Sequence, residues 1–187
     1  MAFNINDIKG ALLYGGARPT LFKVTINNNV SNGGRLLVPF MVRATTIPAM
    51  EIGTIQIPYF GRKIKIAGDR TFAPWSVTVM NDENFAIRND MEQWSNGINT
   101  LNSNLLTAGP PSVYKSRALV DQYDKQGRII RSYQIDGLYP ETVSPIDLDW
   151  NATDQIEEFT VTFQYDSFEI VGGTTGTILD GASPVTN

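Results

Sequence analysis

Phe159-Thr160-Val161-Thr162-Phe163-Gln164-Tyr165 alternates large apolar with polar side chains without a break. Successive side chains of a strand point to opposite faces, so Phe159, Val161, Phe163 and Tyr165 share one face and Thr160, Thr162 and Gln164 the other. Trp75, Val77 and Val79, alternating with Ser76 and Thr78, repeat the pattern. So do Phe22, Val24 and Ile26 against Lys23, Thr25 and Asn27; beyond an Asn-rich segment with Gly33-Gly34 the series resumes at Leu36, Val38, Phe40 and Val42, which predicts a hairpin. A second, projecting hairpin is predicted where Ile55 and Ile57 lead to Phe60-Gly61 and Lys63-Ile64-Lys65-Ile66 leads away to Gly68-Asp69. A strand from near Arg117 reaches a turn at Asp124-Lys125-Gln126-Gly127 and returns through Ile129 to Ile135. Ile146, Leu148 and Trp150 alternate with Asp147 and Asp149, predicting another strand, and Trp75, Trp94 and Trp150 all fall on apolar series and read as core. Strands with one apolar face each bury it only if the sheet folds against itself. The predicted fold is therefore mainly β, a sandwich or barrel of two packed antiparallel sheets.

One segment changes period. After Asn81-Asp82-Glu83, whose side chains suit a helix start, Ile87, Met91, Trp94 and Ile98 recur at helical steps, and Asn96-Gly97 signals a stop. One amphipathic helix should flank the sheets. A short helical turn over Asn6 to Tyr14 is weak alone, with Gly10 inside it and Gly15-Gly16 behind it, and is expected to order only against a partner. Residues 95–112, rich in Asn, Ser, Gly and Pro, read as a surface loop, and Gly172 to Asn187 as a polar tail. At 187 residues, with no repeat and no linker, the chain is expected to form a single domain over 1–187, with its core at about 17–168 and a polar C-terminal extension over 171–187.

Absences exclude more than averages do. Without His there is no Ser-His-Asp triad and no imidazole proton shuttle; without Cys there are no thiol nucleophiles, disulfides, iron–sulfur clusters or ordinary zinc sites. Fifteen Lys and Arg against nineteen Asp and Glu give a net charge of −4, the wrong sign for a domain that grips nucleic acid by its phosphates. The first residues, Met-Ala-Phe-Asn-Ile-Asn-Asp, carry neither a basic nor a long apolar region, so no secretory signal or membrane anchor is expected.

The chemical motifs that remain are weak. Asp147, Asp149, Asn151 and Glu158 match the spacing of a calcium loop, but Ala152 stands where its turn needs Gly and the flanks read as strands, so they are taken as solvent-facing strand acids. Glu157-Glu158 resembles a glycosidase carboxylate pair in composition, yet neighbours on a strand point to opposite faces and cannot flank one bond. Gly172-Gly173-Thr174-Thr175-Gly176 has no following Lys and no helix pattern, so it is not a phosphate loop, and the sequon Asn151-Ala152-Thr153 has no secretory route to a glycosyltransferase. Tyr59, Phe60, Gly61, Arg62, Lys63 and Lys65 make a small basic and aromatic hairpin tip; against the acidic whole, a protein contact suits it better than nucleic acid. With no credible catalytic centre, the chain reads as an assembly protein and not an enzyme.

Gly61-Arg62-Lys63-Ile64-Lys65-Ile66-Ala67-Gly68-Asp69-Arg70-Thr71-Phe72, continuing to Trp75-Ser76-Val77-Thr78-Val79-Met80-Asn81-Asp82-Glu83, resembles the tail tube proteins of contractile-tailed bacteriophages, the myoviruses. Ala17-Arg18-Pro19-Thr20-Leu21-Phe22, Ala44-Thr45-Thr46-Ile47-Pro48-Ala49, Tyr114-Lys115, Gly137-Leu138-Tyr139-Pro140 and Leu148-Asp149-Trp150 extend the resemblance from about residue 17 to 165. The turn around 27–35 and the segment past Phe168 depart from it. The resemblance implies a phage tail tube fold, six copies to a ring, and rings stacked into a tube inside the contractile sheath. The segment from Ile47 to Ala67 then helps to lock one ring to the next. Implied partners are further copies of the chain, the sheath protein, a baseplate initiator and a tail terminator; the genome passes through the lumen without specific binding, no cofactor is needed, and the protein belongs to the virion tail after assembly in the host cytoplasm. An acidic or neutral lumen would let DNA slide, which suits the charge balance, and Asp147 and Asp149 are candidate lumen acids. The alternatives are a tube of a related injection machine, type VI secretion or a tailocin, and from another class a carbohydrate-binding β-sandwich, which would need an exposed aromatic platform.

Overall fold

Most of the alternating segments become strands in a computed structural model of the chain, which describes residues 15–28, 30 and 41–175, with 5, 8 and 9 near the start. In chain order these are β1 (Phe22–Ile26), β2 (Val42–Thr45), β3 (Glu51–Tyr59), β4 (Arg62–Thr71), β5 (Trp75–Met80), helices α1 (Ala86–Ile98) and α2 (Pro111–Tyr114), then β6 (Ser116–Tyr123), β7 (Ile129–Val143), β8 (Glu158–Gln164) and β9 (Ser167–Gly172). The strand order is β1-β6-β7-β8-β5-β2, with β9 also on β7 and the β3–β4 hairpin separate; every pairing is antiparallel.

The 15-residue β7 belongs to two sheets. Its first part pairs with β6 and β9, and its last part, Tyr139 to Val143, pairs with β8. Gly137 marks the changeover: Asp136 pairs with Arg117 and Leu138 with Ser116, leaving Gly137 as an unpaired bulge at φ 72°. A Cβ there would lie 2.1 Å from Asp166 Oδ2, so only glycine fits. Asp166 is itself fixed, its N–H donating to the Asp136 carbonyl at 3.0 Å and its carboxylate accepting from Lys115 Nζ at 2.6 Å.

Between the sheets lies the core. Val24, Ile26, Ala118, Val120, Ile135 and Leu138 from one sheet pack with Trp75, Val77, Val79, Phe159, Val161 and Phe163 from the other, and α1 adds Ile87, Met91 and Trp94. Both core tryptophans satisfy their N–H groups, Trp75 with the Thr46 carbonyl at 2.8 Å and Trp94 with the Tyr114 carbonyl at 2.9 Å. The N-cap of α1, Phe85, makes no side-chain cap bond; Asp82, three residues before it, satisfies one open helix-start donor instead, its Oδ1 accepting from the Ala86 N–H at 3.0 Å. The opposite side of β5 and β8 carries cross-strand hydroxyl pairs, Ser76 with Thr162 at 3.4 Å and Thr78 with Thr160 at 3.3 Å.

Several expectations need correction. Among the described residues β1 and β2 do not pair with each other: Val24 pairs with Val120 of β6, and Val42 of β2 pairs with Val79 of β5. Alternation specifies a face and not the strand that will cover it. Leu36, Val38 and Phe40 lie outside the described residues, as do most of Asn6 to Tyr14 and residues 176–187. Ile146 to Trp150 is not a strand but part of an irregular loop between β7 and β8, so Trp150 is not core: it is fully exposed. Pro145 follows the end of β7, and Asp149 Oδ1 accepts from the N–H and Nδ2 of Asn151 at 2.9 and 3.0 Å, a local turn contact in place of strand pairing. α1 continues through Asn96-Gly97 to Ile98, which packs against the core and offsets the roughly 1 kcal/mol cost of the glycine. The 95–112 segment also contains the start of α2 and a bridge between Asn99 and Leu106. Sheet pairing runs past Phe168: β9 reaches Gly172, with Phe168 opposite Ile135 and Ile170 opposite Tyr133.

Candidate assembly surface

A β-hairpin, β3–β4, that adds nothing to the core among the described residues is the main feature of the surface. Phe60 and Gly61 turn the chain with φ of 43° and 75°, the left-handed pair that matches strand twist in a two-residue hairpin loop. Ile55 stands opposite Ile66, Ile57 opposite Ile64 and Tyr59 opposite Arg62, so these six side chains share one face of the ribbon. Gln56 opposite Lys65 and Pro58 opposite Lys63 take the other. The four isoleucines are all about half exposed and Phe60 is 91% exposed, with the Tyr59 ring edge-on to it at 4.6 Å. At the base, Gly53 faces Gly68 and Asp69 in a bulge, where a Cβ on Gly68 would meet the Gly53 backbone at 3.2 Å.

The structure therefore brings Tyr59, Phe60, Gly61, Arg62, Lys63 and Lys65 together at one tip. It does not gather the family-motif residues into a site. Gly68, Asp69 and Arg70 form the hairpin base, Trp75 is core, and Asp82 satisfies a donor at the start of α1. Arg18 and Pro19 are exposed before β1, and Trp150 stands on its loop. Asn81 donates through Nδ2 to Glu157 Oε2 at 3.0 Å and through its backbone N–H to the Glu157 carbonyl at 2.8 Å, pinning the far end of that loop. Glu158 instead pairs with Arg43, so the two adjacent glutamates serve different partners.

A second exposed apolar group escaped the sequence reading. Leu148 (81% exposed), Trp150 and Ile156 (68%) stand out on the loop between β7 and β8, beside Asp147 and Asp149. The signal was present in the alternation, but alternation alone cannot distinguish a strand facing the core from a loop facing a partner. Of the titratable groups, Tyr165 is pushed up by burial and Tyr123 by burial and the nearby Asp121 carboxylate. Asp124 is held below the usual carboxylate range, chiefly because its side chain accepts the Arg128 backbone N–H.

A ribbon with a half-exposed apolar face and a fully solvated tryptophan are the kind of surface that marks an interaction site. Residues 16–171 match the family described as phage tail tube protein. The chain belongs to the phage tail tube protein family. It is 36% identical over 167 residues to the tail tube protein gp19 of Enterobacteria phage T4, covering 88% of this chain and 99% of the relative, and 27% identical over 166 residues to the tail tube protein of Serratia phage KSP90, covering 86% and 93%. The fold is shared with a chain in the baseplate of the anti-feeding prophage, at TM-score 0.61 and 11% identity over 85% of this chain and 97% of that one. A chain of the sheath–tube complex of an extracellular contractile injection system matches at TM-score 0.55 and 14% identity over 91% and 99%. This tail tube protein is thus a structural, non-catalytic component of the phage tail.

Proposed function

We propose that six copies of this tail tube protein close into a ring, that rings stack into a hollow tube inside the contractile sheath, and that the genome passes through it when the sheath contracts. The observation that carries this reading is the hairpin. A two-stranded ribbon is marginal in water, and one with Ile55, Ile57, Ile64 and Ile66 on an uncovered face gains stability by packing on another copy. Its tip, Tyr59 to Lys65, is the contact between rings. Around a ring, sheet edges that would aggregate on a lone subunit pair with neighbours, as in any closed barrel. A baseplate initiator presents the first edge, and a terminator covers the last.

We place the hydroxyl face of β5 and β8 toward the lumen. Its side chains include Ser76, Thr78, Thr160 and Thr162, and the nearby Arg43 is neutralised by Glu158, which shares that face. Duplex DNA carries about one charge per 1.7 Å, so a lining without unpaired cations lets it slide. This replaces Asp147 and Asp149 as the lumen candidates, because they lie on a loop and not on a sheet face. Electron microscopy of the purified protein at high concentration, alone and with its baseplate initiator, tests the reading. Six-fold rings and tubes are expected; a persistent monomer in both conditions, or a channel lined by Lys and Arg, would count against it.

A further inference from the structure

The topology separates the hairpin from the loop that bears Trp150. β2 runs from Val42, opposite Val79, to Thr45, opposite Val77, so the chain departs for the hairpin at the Trp75 end of β5 and returns there. β8 runs from Glu158, opposite Met80, to Phe163, opposite Trp75, so the preceding loop, residues 144–157, lies at the Met80 end. Hairpin and loop thus leave opposite ends of the same strands, roughly 20 Å apart by the rise of six residues.

The two ends are chemically complementary. Between 144 and 158 the chain carries Asp147, Asp149, Asp154, Glu157 and Glu158 and no Lys or Arg. Between 59 and 66 it carries Arg62, Lys63 and Lys65 and no acid, and none of these cations has a carboxylate partner among the described residues. The loop and the start of β8 bound an open groove of about 750 Å³ lined by Arg43, Ile146, Leu148, Trp150, Ile156 and Glu157, among others. Apolar side chains with acids around them at one end match an aromatic tip with cations around it at the other.

We propose that the occupant of this groove is a second copy of the chain: the hairpin tip of one subunit, with Phe60 foremost, seats beside Trp150, Leu148 and Ile156 of the next, while Lys63 and Lys65 lie against Asp147 and Asp149. This rests on the stacked-tube reading and adds to it the surface on which the hairpin lands. Such a contact is heterologous, with different patches on the two partners, so it repeats head to tail along the tube.

Zero-length carbodiimide coupling of wild-type tubes, followed by peptide mass spectrometry, tests the seat, since it joins only amines and carboxylates already in contact. Links from Lys63 or Lys65 to Asp147, Asp149, Asp154 or Glu157 are expected. Reversing the tip with Lys63→Glu and Lys65→Glu should raise the critical concentration for assembly about tenfold or more, because like charges then oppose. Adding Asp147→Lys and Asp149→Lys to the same chain should restore it. All four positions are exposed, and circular dichroism checks that each variant keeps its fold. Tubes whose Lys63 and Lys65 link only to other carboxylates, or whose assembly ignores the reversal, overturn the seat and leave the tube standing. Failure of the wild-type chain to form tubes even with its initiator overturns the stacked-tube reading, and the seat with it.

Discussion

Trp94 and Trp150 have the same side chain and opposite environments. Trp94 is wholly buried, its ring centroid 6.2 Å from that of Phe163 and its indole N–H on the Tyr114 carbonyl, so Trp94→Ala should cost about 3–5 kcal/mol in urea unfolding of the isolated subunit. Trp150 touches water on every side, and Trp150→Ala should change that stability by less than about 0.5 kcal/mol while lowering the yield of tubes counted by electron microscopy. Asp124 offers a pH test. Its carboxylate accepts from the Gln126 and Arg128 N–H groups at 2.8 and 2.9 Å and from Arg128 Nε at 2.8 Å, which lowers its folded pKa. A depressed folded pKa contributes stability above the unfolded value, about 3.9, and that contribution disappears as pH falls through the folded one. Asp124→Asn should therefore lower the melting temperature at pH 7, and the gap from wild type should close as the pH drops below about 4, read by thermal melts across pH.

At the scale of elements, the hairpin is separable from the fold. No residue of Glu51–Thr71 belongs to the core, so replacing Tyr59 to Arg62 with a shorter turn should leave the unfolding midpoint of the subunit within experimental error. The same change should abolish ring stacking, measured by sedimentation; stacking that persisted would place the contact elsewhere. The hairpin was legible in the sequence because all its information is local: β-branched residues on both arms and a turn-forming Phe60-Gly61 between them. The faces of β5 and β8 were legible for the same reason, since Trp75, Val77 and Val79 alternate with Ser and Thr whatever strand lies beside them. What pairs with what was not. β1 meets β6 across more than ninety residues, and β7 changes sheets at Gly137, neither of which local periodicity encodes. Trp150 was misplaced because an apolar side chain awaiting another copy carries the same local pattern as one awaiting its own core. The groove around it emerged only once the topology had set which loop lies at which end of the strands.

For the whole molecule, a seat built on opposite charges responds to salt. Charge attraction is screened beyond about 10 Å at 0.1 M ionic strength and beyond about 3 Å at 1 M, so the critical concentration for wild-type assembly should rise as NaCl increases. The Lys63→Glu, Lys65→Glu chain should assemble poorly at low salt and recover as salt screens the repulsion, the opposite slope in the same sedimentation assay. A wild-type chain indifferent to salt would mean that the apolar side chains alone hold the rings together. The opposed placement of hairpin and loop also bears on counting. In the proposed stack every addition leaves the growing end with the same kind of surface as before, so hairpin and groove carry no instruction to stop, and a tube of defined length must take its measure from another molecule.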